Sequence, residues 1–243
     1  MIDWQKMSDI TGGGWIHNLS QHVRAAVRDV MQLKSVENKQ AIFRQGEDST
    51  ILYEIVTGQV LITHLSIDGE ESLVTIFGPN DCVGEQGLID GLPRSNSASA
   101  YGDCTLRTLT KPTFQTLRQQ FPEITENLLQ LVSRRFRMSL QLGAEVSSFP
   151  LRTRILRRLY LLAKAHGESV DGTIKINFKL SQTDMGKWVG YSRQSVNTEI
   201  QNIENDGLIQ STTNGLIITD IEATQEELGE DELIPYHEPD AVD

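Results

Sequence analysis

The run Ser181-Gln182-Thr183-Asp184-Met185-Gly186-Lys187-Trp188-Val189-Gly190-Tyr191-Ser192-Arg193-Gln194-Ser195-Val196-Asn197 scans as two short helices hinged at Gly190. Ser181, with Asp184 three positions on, predicts one helix start; Ser192, whose hydroxyl can satisfy a free backbone N–H, predicts the second. On that second helix Val196, Ile200 and Ile203 fall at i, i+4 and i+7 and bury one face. Arg193, Gln194, Asn197, Thr198 and Gln201 are left outward, a set suited to base edges and phosphates. Gly207 supplies a left-handed stop before Leu208 and Ile209. The segment therefore predicts a helix-turn-helix that reads DNA, with Ser181, Gln182, Ser192, Arg193, Gln194, Ser195, Asn197 and Thr198 as candidate contacts.

A net charge of −11 argues against such a role until the charges are divided along the chain. Residues 150–219 carry 9 Lys or Arg against 6 Asp or Glu, whereas residues 220–243 carry 10 acids and no Lys or Arg. The negative charge is concentrated in that C-terminal segment, which has few large apolar residues and is expected to be a disordered, solvated and inert acidic tail, the alternative being competition with DNA for the adjacent basic surface. A chain of 243 residues is long enough for two modest domains. No apolar run approaches the roughly 18 residues of a membrane span and no secretory signal opens the chain, so a cytoplasmic protein without a membrane partner is expected. Cys82 and Cys104 are too few and too far apart for a metal or iron–sulfur cluster. His17, His22, His64, His166 and His237 show no paired spacing, and no metal is expected.

From Ile42 to Leu109 the pattern is antiparallel β. Runs such as Ile51–Val56, Val60–Leu65, Leu73–Phe77 and Thr105–Leu109 are punctuated by Gly58, by Asp68-Gly69 and by Gly78-Pro79-Asn80-Asp81. A helical lead-in covers Leu19–Leu33, with Val23, Val27 and Val30 at helical spacing. From Pro122 to Phe149 the period is helical, and Pro150 ends it. Leu129, Val132, Phe136, Ser139, Gly143 and Val146 recur at alternating three- and four-residue steps, a coiled-coil seam for a second copy of the chain. A second apolar line, Leu128, Leu131, Met138 and Leu142, is left to cover the β domain. A basic helix (Arg152–Ala165), a strand near Ile174–Phe178, and a hairpin of Ile209–Thr212 with Leu216–Thr219 around Asn214-Gly215 complete a winged helix-turn-helix.

Between β runs lies Gly84-Glu85-Gln86-Gly87-Leu88-Ile89-Asp90-Gly91-Leu92-Pro93-Arg94-Ser95. Gly84 and Gly87 let backbone N–H groups approach a ligand, a helical turn after Glu85 aims its positive end the same way, and Arg94 offers a planar fork to a phosphate, with Ser95 adding a hydroxyl. Glu85 would repel phosphate and is suited to accept from a ribose hydroxyl. Glycines and one arginine in a turn can equally be structural, and the residues alone leave both readings open.

Taken together, these segments resemble the catabolite-activator and fumarate–nitrate regulator (CRP/FNR) superfamily of bacterial transcription factors over roughly residues 20–220. The resemblance implies an α+β chain: an effector-binding β-roll with an N-terminal helix (1–121), a dimerisation helix (122–149), a winged helix-turn-helix (150–219) and the acidic tail (220–243). It implies that Gly84, Glu85, Gln86, Arg94 and Ser95 form a phosphate-binding cassette for a cyclic nucleotide, cAMP first, with Glu85 on the ribose 2′-hydroxyl and Arg94 and Ser95 on the cyclic phosphate. Ser139 stands where cAMP-binding members place a Thr that meets the adenine amino group. Leu140 departs from the family pattern, in which a second hydroxyl serves the partner subunit's ligand. Arg193 matches the family's guanine-contacting Arg, Gln194 replaces a Glu and suits adenine, and Thr198 replaces a basic residue. The N-terminal cysteine cluster of oxygen-sensing members is absent.

The expected function is that of a homodimer binding a pseudo-palindromic site, its half-sites about 34 Å apart. DNA affinity would be controlled by the cyclic nucleotide, and RNA polymerase would be a further partner. The alternatives are the same DNA reader with another effector or none, and a cyclic-nucleotide module without a DNA role. An enzyme is not expected, for the chain has no nucleophile elbow and no Cys–His pair in context.

Overall fold

The computed structural model describes residues 14–170, 173–177, 180–213 and 215–229, without the side chains of residues 141, 142 and 144–147. The chain divides into two compact units, residues 1–146 and 147–243.

In the first unit the elements run α1 (Gln21–Asp29), β1 (Gln32–Val36), β2 (Ala41–Phe43), β3 (Ile51–Leu65), β4 (Glu71–Phe77), β5 (Cys82–Val83), α2 (Gln86–Asp90), β6 (Ser97–Thr110), α3 (Lys111–Gln120) and α4 (Glu123–Ser148), the last running on into the second unit. One antiparallel sheet has the order β1-β6-β3-β4, with β2 on β6 and β5 on β3. Leu52, Tyr53, Glu54 and Ile55 of β3 are all buried, so this strand is covered on both faces. Because successive side chains alternate sides, Leu52 joins a layer with Trp15, Val23, Val27, Phe114, Ile124, Leu128 and Leu131. Tyr53 and Ile55 join the interior of the roll with Val36, Phe43, Val60 and Leu106. Glu54 can lie in this core because Arg28 of α1 and Arg107 of β6 both pair with its carboxylate.

Several sequence-based expectations are corrected. Gly58 does not separate two strands: β3 runs through it for 15 residues, and the glycine takes φ +84° at a register irregularity. A Cβ there would stand 2.6 Å from Asp103 O, so β3 and β6 approach closely at this bend. The lead-in helix stops at Asp29, because Gln32–Val36 pairs instead with Cys104–Thr108 of β6. Helix α3, with Pro112 in its first turn and Phe114 and Leu117 buried, was not foreseen. The first half of α4, by contrast, packs in the unit's own core through Ile124, Leu128 and Leu131, the last two from the apolar line expected to cover the β domain.

In the second unit come α5 (Leu151–His166), β7 (Glu168–Val170), β8 (Thr173–Ile176), α6 (Gln182–Val189), α7 (Arg193–Asn205), β9 (Ile209–Ser211), β10 (Leu216–Ile218) and α8 (Ile221–Leu228). Its sheet has the order β7-β8-β10-β9. The wing pairs Leu216 with Ser211 and Ile218 with Ile209, while the expected turn residue Asn214 and strand residue Phe178 lie outside the described residues. Residues 221–228 are not a disordered tail. The Asp220 carboxylate caps α8 by accepting from Ala223 N–H at 2.8 Å, Thr224 and Leu228 are buried, and Gln225 donates to Tyr160 Oη. Residues 230–243 lie outside the described residues.

Candidate functional site

In the first unit, Gly84, Glu85, Gln86, Arg94, Ser95 and Ser139 line one cavity of about 270 Å³. A loop between β5 and β6 supplies the first five, and α4 supplies Ser139. Gly84 takes φ +86°, and a Cβ on it would collide with Arg94 Nη1, so glycine is what lets the guanidinium settle against the backbone. Arg94 is 7% exposed. Its Nη1 donates to Gly84 O at 2.7 Å, its Nη2 donates to Ile51 O, and its guanidinium carbon sits 4.2 Å from the Phe43 ring centre. Its Nε is buried without a hydrogen-bond partner among the described residues. Burial lowers the guanidinium below its ordinary pKa, against the pull of Tyr53, Glu85 and Glu47.

Glu85, 2% exposed, pairs through Oε1 with Arg135 of α4, while Oε2 is buried without a partner among the described residues. Arg135 also donates from Nη2 to Cys82 O at 2.8 Å and lies over the Phe77 ring. Next to Cys82, burial pushes the Asp81 carboxyl up to about 7, opposed by the Gly78 N–H it accepts and by Arg135. At the other side of the cavity Asn96 Nδ2 donates to Ser95 Oγ at 3.0 Å, and Ser95 Oγ donates to Gln86 Oε1 at 3.1 Å. Ser139 Oγ donates back to Arg135 O at 2.9 Å.

The cavity thus combines a buried cation, a buried carboxylate, hydroxyl and amide groups, and the apolar surfaces of Phe43, Ile62, Phe77 and Met138. That is the chemistry of a compact ligand with an anionic end, hydroxyls and a flat apolar body. Arg135 was missed from sequence. The available signal was its position four residues before Ser139, hence on the same face of α4.

In the second unit the two reader helices are built as their caps require. Ser181 Oγ accepts from Asp184 N–H at 3.0 Å, and Ser192 Oγ accepts from Ser195 N–H at 3.1 Å. Gly190 closes α6 at φ +77° with its N–H on Gly186 O. Val196 and Ile203 are buried and Ile200 is half-buried, which leaves Arg193, Gln194, Ser195 and Thr198 exposed on the first turns of α7. Gln182 Nε2 donates to Asn197 Oδ1, joining the start of α6 to α7. Thr198 Oγ1 bonds back to Gln194 O at 3.2 Å.

On α4 the expected seam is open to solvent in the single chain: Leu129 is 61%, Val132 41% and Phe136 63% exposed. Leu128 and Leu131 are buried against the β-roll. The side chains of Leu142 and Val146 lie outside the described residues. Among the described residues no helix is long and apolar enough to cross a membrane, and no group of three His, Cys, Asp or Glu side chains is placed to hold a metal.

Comparison with known proteins follows the same division. Residues 33–121 match the cyclic nucleotide-binding domain, and residues 153–227 match the Crp-like helix-turn-helix domain. A CRP-like cAMP-activated global transcriptional regulator of Mycobacterium tuberculosis (strain ATCC 25618 / H37Rv) is 29% identical over 198 residues, covering 82% of this chain and 88% of the relative. The cAMP-activated global transcriptional regulator CRP of Haemophilus influenzae is 26% identical over 181 residues, covering 74% and 80%. The structure of FixK2 from Bradyrhizobium japonicum superposes with a TM-score of 0.73 at 18% identity over 82% of this chain and 97% of that one. The regulator CLP from Xanthomonas campestris gives 0.65 at 20% identity over 82% and 99%.

Fold and site together define a transcriptional regulator with a cyclic nucleotide-binding domain followed by a winged helix-turn-helix. The helix-turn-helix match reaches residue 227, and so takes in most of α8 as well as the wing. The chain belongs to the CRP/FNR superfamily.

Proposed function

We propose that this protein is a homodimeric DNA-binding regulator whose affinity for its operator is set by a cyclic nucleotide, cAMP before cGMP. The observation that carries the reading is the cavity that joins Arg94, Ser95 and Glu85 of the β-roll to Ser139 and Arg135 of α4. Among the cavity-lining residues, Ser49 Oγ, Arg135 Nε, Arg94 Nε and Glu85 Oε2 are buried without partners among the described residues, and the fit to the nucleotide is supported by the last two. One is a buried donor and the other a buried acceptor, and each is costly to leave unmade. Arg94 and Ser95 would hold the cyclic phosphate, Glu85 the ribose hydroxyl and Ser139 the base. The M. tuberculosis and H. influenzae relatives are both cAMP-activated.

A ligand held between the cassette and α4 favours whichever disposition of α4 leaves Ser139 and Arg135 in reach. It shifts the equilibrium only by its difference in affinity for the two states. The exposed seam of Leu129, Val132 and Phe136 is the surface through which two copies would pair, and α4 would carry the effect into residues 147–229. Two recognition helices would then enter successive major grooves, with Arg193 on guanine and Gln194 on adenine. RNA polymerase would be the partner of the DNA-bound dimer.

Isothermal titration of cAMP and cGMP into the purified protein, with Arg94→Ala as control, tests the effector. Saturable cAMP binding that vanishes in the variant is expected. No heat with either nucleotide in the wild type would leave a regulator with another effector or none.

A further inference from the structure

A third cluster of charges flanks the buried apolar seat of the recognition helix, and neither the cavity nor the base-reading residues use it. Arg152, in the first turn of α5, places Nη1 2.8 Å from Asp206 Oδ2 and 3.6 Å from Glu199 Oε1. Its Nε and Nη2 donate to the two oxygens of Glu227 at 2.5 and 3.0 Å, a bidentate fork. Glu199 lies in the middle of α7, Asp206 is its C-cap, and Glu227 is in the last turn of α8. One guanidinium therefore ties α7 to α5 and to α8. Arg152 and Glu199 are partly shielded, with side chains 26% and 22% exposed, whereas Asp206 is 56% exposed. The bonds to Glu227 and Asp206 raise the guanidinium above its ordinary pKa.

We propose that Arg152 is a positioning residue for base recognition, and that α8, through Glu227, is a working part of the DNA reader. The reason is leverage. Helix α7 has 13 residues and is about 20 Å long, so a tilt of about 10° about its middle displaces Arg193 by roughly 2 Å. A bidentate contact with guanine tolerates about 0.5 Å. Val196 and Ile203 seat one face of the helix, Gln182 holds Asn197 and the Ser211 N–H donates to Glu204, while Arg152 adds a charged tie near the middle of the helix and a closer one at its C-terminal end. Without the cation, three carboxylates from two helices would face one another unscreened.

The test separates positioning from charge. The full-length wild type is used to select its preferred site from a random duplex library, under whichever effector condition gives the tighter binding, so that the result does not rest on the cAMP reading. Affinities for the selected site and for unrelated duplex are then measured for wild type, Arg152→Lys, Arg152→Ala and Glu227→Gln. Arg152→Lys keeps the formal charge but cannot form the fork. It is expected to hold unrelated duplex within about twofold of wild type and to lose about tenfold on the selected site. Glu227→Gln, which frees α8 from the clasp, is expected to lose a smaller part of the same preference, although it removes a negative charge. Arg152→Ala is expected to weaken both. An Arg152→Lys protein matching the wild type on both duplexes would assign Arg152 a role in charge alone and overturn the proposal. Thermal melts of the variants identify loss of folding; should Arg152→Ala unfold, the Lys and Gln variants still decide.

Discussion

In the β-roll, the charged groups of the cavity are buried and already engaged: Arg94 donates to two backbone carbonyls and Glu85 is paired with Arg135. On α7, Arg193 and Gln194 stand exposed in the first turn. A charge removed from water is costly unless it is paired and hydrogen-bonded, so a buried binding site arrives with its side chains held by the protein itself. Arg94 Nε and Glu85 Oε2 are left buried without partners among the described residues, and a ligand taken up there would have to fit a fixed frame. A DNA-reading face can keep its cations solvated because its partner brings a surface of phosphates and base edges to it. Its accuracy then depends on what stands behind the exposed side chains, namely the apolar seat of Val196 and Ile203 and the Arg152 clasp.

The contrast is most sharply exposed by Gly84→Ala. The added methyl collides with Arg94 Nη1 at a φ of +86°. The left-handed conformation alone costs about 1–2 kcal/mol, read as a lower melting temperature of the β-roll. Displacement of Arg94 is expected to lower cyclic-nucleotide affinity by on the order of a hundredfold, measured by titration calorimetry. A Gly84→Ala protein binding like wild type would show that the seat of Arg94 is not the ligand site.

At the exposed face the effect of a single side chain is smaller. Arg193→Ala should weaken specific binding by about 1–3 kcal/mol in a gel-shift series against the selected site, with the melting temperature unchanged. Equal losses on specific and unrelated DNA would reassign Arg193 to phosphate contact. The least effect comes from the scaffold: Ser181→Ala removes the α6 cap and should destabilise the second unit by about 1 kcal/mol, detected by thermal or urea unfolding.

The reader unit was legible almost residue by residue, because caps, the Gly190 turn and the spacing of Val196 and Ile203 are local signals. The residues that line the β-roll cavity were legible as a list but not as an arrangement. That Arg94 would bond to Ile51 O and Glu85 to Arg135, 43 and 50 positions away along the chain, follows from strand and helix packing that no local pattern encodes. Gly58 misled for a related reason: a glycine that bends a long strand toward its neighbour has the same signature as one that ends it. The acidic run beginning at Asp220 misled because composition is blind to Asp220 capping a helix and Glu227 meeting Arg152.

By itself the sequence determined the order of the parts and the helix-turn-helix with its outward polar residues, since each depends on hydrogen bonds and periodicity within a few residues. Only the tertiary structure decided which residues are buried together, that α4 contributes Arg135 to the cavity, and that α8 packs into the second unit beside α5. These are outcomes of desolvation and of pairing between charges remote in the chain. Both are set by the environment that the whole fold creates.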